Sequence, residues 1–143
     1  MSYRYLEDVA TADAAFEACG KTVEETFLSA AEATIRVMIA NPDSIRARER
    51  ISIHLENDEL DMLLFDFLQE IIYFKDSRRL LLRMNSLHID LARSPLTLTA
   101  EATGETMIQG HHPLLTDVKA VTLHLFSIKQ NEHGWIATVI LDI

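Results

Sequence analysis

With a single cysteine, Cys19, the chain can form no internal disulfide and is compatible with a reducing compartment. Four glycines and three prolines leave no flexible or proline-rich linker, and no repeat at a solenoid period divides the chain. One compact domain spanning 1–143 is expected. No apolar run approaches the roughly 18 residues of a membrane span, and charges at Arg4, Glu7, Asp8, Asp13 and Glu17 rule out a signal-peptide pattern. The expectation is a soluble, cytoplasmic protein with no membrane partner. Positive charge is scarce: 13 Lys and Arg against 22 Asp and Glu give a net charge of −9. This weighs against direct phosphate-driven nucleic-acid binding and favours a basic partner. Also missing are a Gly-rich phosphate loop, a Gly-x-Ser-x-Gly elbow, the i, i+4 histidine pair of a zinc helix and a Cys/His nucleophile spacing. No catalytic motif remains, and an enzyme is not expected.

What is present is apolar residues in regular patterns, 48% of the chain and enough for a sizeable core. Tyr3 to Leu6 and Ala14 to Cys19 read as strands separated by an acidic loop. Thr22-Val-Glu-Glu25 is a capping box opening a helix whose apolar residues recur at Val23, Phe27, Ala30, Ala31, Thr34, Val37 and Met38, with Asn41-Pro42 as its stop. Arg46, Arg48 and Arg50 alternate along an extended segment and read as a solvated strand edge. Strict alternation from Arg50 to Glu56 predicts a half-buried strand with His54 outward. Asn57 is the expected N-cap of a second helix running to about Lys75, apolar around so much of its surface that it must be sandwiched or covered. Asp76-Ser-Arg is read as the following turn. Leu80 to Ala92, Leu96 to Thr106 and Val118 to Lys129 read as strands, the last forming a hairpin with Trp135 to Asp142. The fold class is α+β, with mixed, largely antiparallel sheets and two main helices.

Two places invite chemistry. Trp135 to Ile143 is a buried strand, so Asp142 and the α-carboxylate of Ile143 fall together at the end of an apolar run, where two anions repel and lose hydration. A Lys or Arg, or a hard cation such as Ca²⁺ or Mg²⁺ that takes oxygen ligands, would answer that charge. Asp13 stands at the start of a strand, where it is either fixed by neighbours or closes a turn on its own backbone. The second place is His111 and His112 followed by Asp117, which invite a metal or acid/base reading, while Lys119 and His124 together with the C-terminus suggest a polar site near one end of the sheet. His111 and His112 on an extended strand face opposite ways and would not bind one ion together.

The sequence also resembles a family. Tyr5-Leu6-Glu7 with Thr11-Ala12-Asp13, Gly20 to Phe27, Leu60 to Leu68, Gly104-Glu105, His112, Asp117 to Thr122 with His124, and Trp135 with Val139 to Ile143 resemble, in order and spacing, the archease family. The likeness covers essentially the whole chain. It departs at Ala10, where the family loop commonly has His, and at Leu123, where Tyr is frequent. The resemblance implies a single archease-like α+β sandwich and a non-enzymatic activator of RtcB-type RNA ligases. Such a protein stimulates guanylylation and multiple turnover of the ligase in tRNA splicing, and its link to tRNA is through the ligase. It further implies a bound divalent cation, Ca²⁺, with Asp13, Asp142 and the terminal carboxylate of Ile143 as ligands. His112, Lys119 and His124 are the candidate partner-site residues. Two other classes compete: a general chaperone or specificity modulator of RNA-modifying enzymes such as a tRNA methyltransferase, and a small metal-dependent hydrolase using His112, Asp117 and Lys119.

Overall fold

The computed structural model describes residues 1–7 and 13–143; Ala10, Thr11 and Ala12, named above, lie outside the described residues. In chain order the elements are β1 (Ser2–Leu6), β2 (Asp13–Gly20), α1 (Val23–Met38), β3 (Glu49–Asn57), α2 (Leu60–Arg78), β4 (Leu80–Asp90), β5 (Leu96–Thr106), β6 (Ala120–Asn131) and β7 (Gly134–Asp142). The strands form two sheets, ordered β1-β2-β7-β6 and β3-β5-β4, and every strand pairing within them is antiparallel. α1 packs on β2 and β7 of one sheet and β4 of the other, while α2 packs on β6 of the first and β3, β4 and β5 of the second. The helices thus lie between the sheets. That placement explains the broadly apolar α2, which buries Leu63, Leu64, Phe67, Leu68, Ile71 and Ile72 against both. Phe27 of α1 and Phe67 of α2, both fully buried, join the helices with ring centroids 5.9 Å apart. Burying a side chain of this size contributes about 1.5–3 kcal/mol.

Local chemistry sets the element ends, with differences from the sequence pattern. At α1 the Glu25 amide donates to Thr22 Oγ1 at 3.1 Å, as a capping box requires, but the Glu25 carboxylate accepts from the Lys21 amide at 2.9 Å rather than from Thr22. Asn57 is not the cap of α2: it ends β3, and its side-chain oxygen accepts from the Glu59 amide in an Asx turn. The helix also runs past Lys75 to Arg78 and ends where Arg79 takes a left-handed conformation at φ 52°. The turn expected at Asp76-Ser-Arg is therefore helical, because burial of Lys75 holds one further turn in place.

β4 opens with Leu80, Leu81 and Leu82 all buried, against simple alternation. The segment between β5 and β6 runs along the end of α1. Hydrogen bonds from Ala40 to Pro113, from Leu115 to Met38 and from Thr116 to Val37 fasten this segment to the end of α1, and Leu114 and Leu115 line a cavity with Leu81. The β6–β7 hairpin turns at Gly134, whose φ of 138° suits glycine and where a Cβ would meet the Gly20 carbonyl oxygen at 2.2 Å. The same hairpin is broken in its middle. Thr122 pairs with Ile140 and Ser127 with Thr138, so residues 123–126 stand against Val139 alone. Leu125 sits at φ 56° in this bulge, and Leu123 and Leu125 are 61% and 60% exposed with His124 exposed between them.

Candidate functional site

The end of the larger sheet brings Asp13 and Asp142 together. In the β2–β7 register they stand directly opposite, so both side chains leave the sheet on one face. Like charges in such a cross-strand pair are destabilising. On the other side of β7, Ala120 pairs with Asp142, and the Lys119 amide donates to the Asp142 carbonyl at 2.8 Å. Ile143 follows, its side chain half-buried against the core. Among the described residues, no Lys, Arg or His nitrogen lies within 4.0 Å of the carboxylates of Asp13, Asp142 or Ile143. The donor set is oxygen throughout, which suits a hard cation such as Ca²⁺ and not a softer ion that prefers nitrogen or sulfur.

The histidines belong to a different place. Gly110, at φ 88°, turns the chain so that His111 and His112 converge instead of facing opposite ways, which corrects the extended reading; their ring centroids are 4.7 Å apart. Both approach Glu105 Oε1, His112 Nε2 at 2.8 Å and His111 Nε2 at 3.7 Å. These three residues have metal-ligand spacing. Their hydrogen bonds argue against that use. His112 Nδ1 accepts from the Ile108 amide at 2.8 Å, so its proton is on Nε2 and is donated to Glu105. His111 Nε2 lies 3.1 Å from the Ser44 carbonyl oxygen, an acceptor, and so donates as well. Neither Nε2 offers a lone pair.

Glu105 is the hub of this cluster. It is buried at the end of β5, and Arg46 reaches it with both its amide, 3.1 Å from Oε1, and its Nε, 2.6 Å from Oε2. Arg48 Nε adds a contact at 3.5 Å. Burial pushes the Glu105 carboxyl up, but the Arg46 amide, the His112 imidazole and the Arg46 guanidinium outweigh it and bring it down to about 2. Arg46 and Arg48 are thus part of a clasp and not merely a solvated strand edge. His112, whose side chain is fully enclosed, braces the loop and presents no surface to a partner, which corrects its grouping with Lys119 and His124. Lys119 and His124 are exposed. Asp117 lies 2.5 Å from Lys75, so the proposed hydrolytic trio of His112, Asp117 and Lys119 is divided between a buried clasp and a lysine pair. Long-range contacts made Glu105 and Lys75 hard to single out from sequence. The available signal for Lys75 was a cation in register with the apolar stripe, four residues after Ile71.

These features define a class: a small α+β domain with two antiparallel sheets enclosing a helix pair, and an acidic strand end with oxygen donors. Residues 3–143 match the model of the Archease protein family, and the chain belongs to that family. It is 33% identical over 142 residues to protein archease of Methanosarcina mazei, an alignment covering 99% of this chain and 95% of the relative. Protein archease of Methanothermobacter thermautotrophicus is 35% identical over 133 residues, covering 93% of this chain and 94% of the relative. Among solved structures, the solution structure of Methanobacterium thermoautotrophicum protein 1598 superposes with a TM-score of 0.84 at 32% identity, covering 99% of this chain and 98% of that one. A Thermotoga maritima archease, described as a possible chaperone, gives a TM-score of 0.60 at 19% identity over 94% of this chain and 93% of that one. This last likeness speaks to the fold alone. Among the described residues, no helix is long and apolar enough to cross a membrane.

Proposed function

We propose that this protein is a non-enzymatic activator of an RtcB-type tRNA-splicing RNA ligase, carrying a divalent cation, Ca²⁺, at its acidic strand end. Asp13, Asp142 and the terminal carboxylate of Ile143 would hold the ion, with water completing the six to eight oxygens that Ca²⁺ takes. When bound, such an ion would neutralise the charge that these carboxylates bring together. The chain's own residues do the rest. Asp13 and Asp142 orient the face, and exposed Lys119 and His124, with Leu123 and Leu125 of the bulge, offer contacts to the ligase near its nucleotide-loading site. The observation that supports this reading most is the cross-strand pairing of Asp13 with Asp142 beside Ile143, with no basic side chain within ion-pair distance among the described residues. Its effect falls on the partner's chemistry, favouring the guanylylated ligase, and the link to tRNA is through that ligase.

The test is the guanylylation rate of a purified RNA ligase across a concentration series of this protein. Acceleration that saturates is expected, and a flat series contradicts the proposal. A second reading, a general chaperone or modulator of RNA-modifying enzymes, is favoured by the exposed Leu123 and Leu125 of the bulge. Suppression of aggregation in unrelated client proteins, without ligase stimulation, selects it.

A further inference from the structure

Lys75 is the only charged residue among those that α2 buries. An ammonium leaves water at acceptable cost only where acceptors replace its hydration, and here three do, matching its three protons. Nζ lies 2.5 Å from Asp117 Oδ1, 2.7 Å from Asp76 Oδ1 and 2.6 Å from the Val118 carbonyl oxygen. The two carboxylates belong to side chains 71% and 56% exposed, which water can also solvate. Val118 is fully buried. Its carbonyl belongs to the same peptide group as the Lys119 amide, which donates to the Asp142 carbonyl at 2.8 Å.

A trans peptide points its C=O and N–H in opposite directions. One planar unit therefore links the ammonium of α2 on one side to the final residue of β7 on the other. A donor on the oxygen also polarises the amide and strengthens the bond from its N–H. This stretch of β6 needs such support, because the bulge separates its pairings at residues 120–122 from the rest of the hairpin. α2 provides a second hold there, as Gln69 Oε1 accepts from the Val121 amide at 2.7 Å.

We infer that Lys75 is a positioning residue for the Asp13–Asp142 end: through the peptide between Val118 and Lys119 it sets the backbone of Asp142 and hence the direction of the carboxylates that face a cation. The inference rests on the cation reading above. It adds a residue on a different element that touches neither carboxylate and that the ligand set does not contain.

The experiment combines calorimetric Ca²⁺ titration with amide hydrogen exchange followed by NMR in Ca²⁺-free protein. Lys75→Met keeps the length and bulk of the side chain and removes the donors. It is expected to weaken Ca²⁺ binding by about 10-fold, as removal of a group that orients a metal ligand typically does. Exchange at the Lys119 amide should accelerate by a similar factor of about 10. Lys75→Arg, which can donate to the same carbonyl, should return both readouts to within about 3-fold of the native protein. If Lys75→Met does not fold, Gln69→Leu tests the same stretch, with an expected loss of about 3-fold in Ca²⁺ affinity. The native protein is itself a check, since its Lys119 amide must be protected. Unchanged affinity and unchanged Lys119 exchange in Lys75→Met, an unprotected Lys119 amide in the native protein, or a loss in Lys75→Arg equal to that in Lys75→Met each overturns the inference. A native protein that binds no Ca²⁺ instead defeats the cation reading, while Lys119 exchange still decides whether Lys75 holds Asp142.

Discussion

Glu105 and Asp142 are carboxylates near the ends of neighbouring layers' strands, and their surroundings could hardly be more different. Glu105 is buried and gripped by the Arg46 amide and side chain, by His112 and by Arg48, so that its negative charge is fully answered within the chain. Asp142 is half-buried opposite another aspartate, beside Ile143, with no basic group within 4.0 Å among the described residues. A saturated buried carboxylate is the mark of a structural clasp, tying together segments 59 residues apart in sequence. A pair of carboxylates that no basic group answers among the described residues is instead the candidate place for function.

Substitutions that exchange the behaviour of the two regions test this contrast. The largest expected effect is at the strand end. Asp142→Asn should lower Ca²⁺ affinity by at least about 100-fold, the upper end of what even outer partners of a metal ligand contribute. The melting temperature of the Ca²⁺-free protein should hold or rise, because a repulsion is removed. Calorimetry and a thermal scan read both. A fall in Ca²⁺-free stability with no change in affinity would place Asp142 with Glu105.

The reverse pattern is expected at Glu105. Glu105→Gln should leave Ca²⁺ affinity within about 2-fold, since the clasp lies apart from the oxygen cluster, yet lower the melting temperature by about 5 °C. Its pH dependence carries the sign. The Glu105 carboxyl is held at about 2 against an ordinary value of 4.5, so in the window between these values the unfolded chain binds the extra proton. The stability from this group is present above about 4.5 and is lost as pH falls through about 2. The gap between native protein and Glu105→Gln should therefore close across that window, as followed by denaturant unfolding. A gap independent of pH would show that the charge is not what the clasp recognises.

The smallest effect is expected away from both carboxylates. Leu125 holds φ 56° with its side chain 60% exposed, so Leu125→Gly relieves the backbone at little cost in burial and should stabilise by about 0.5–1 kcal/mol. Chemical denaturation resolves a change of this size. Destabilisation would mean that the exposed leucine contributes packing to the bulge.

What was legible in the sequence was local. The capping residue Thr22, the spacing of Val23, Phe27 and Ala30, and the alternation around Ile51 and Ile53 are set by neighbours along the chain, and each gave its element. The breadth of the apolar face on α2 announced burial from two sides, which the two sheets supply. The clasp was not legible. Glu105 meets Arg46 across the fold, and His111 converges with His112 only because Gly110 turns the chain. The end of α2 was misplaced for a related reason: Asp76-Ser carries turn propensity, but Lys75 is held by Val118 and Asp117 from a distant segment. The charge problem at Asp142 and Ile143 was legible from the apolar strand that leads to them. That Asp13 stands opposite Asp142 is a matter of register, which no local pattern contains. Asp13 entered the candidate set through resemblance to a family.

The most direct test of the account is a Ca²⁺ titration of the ¹⁵N-labelled protein followed by amide chemical shifts. Saturable shifts concentrated at Asp13, Lys119, Asp142 and Ile143, with Glu105, His111 and His112 unmoved, are predicted. Shifts centred on Glu105 and the two histidines, or none at all, would contradict it.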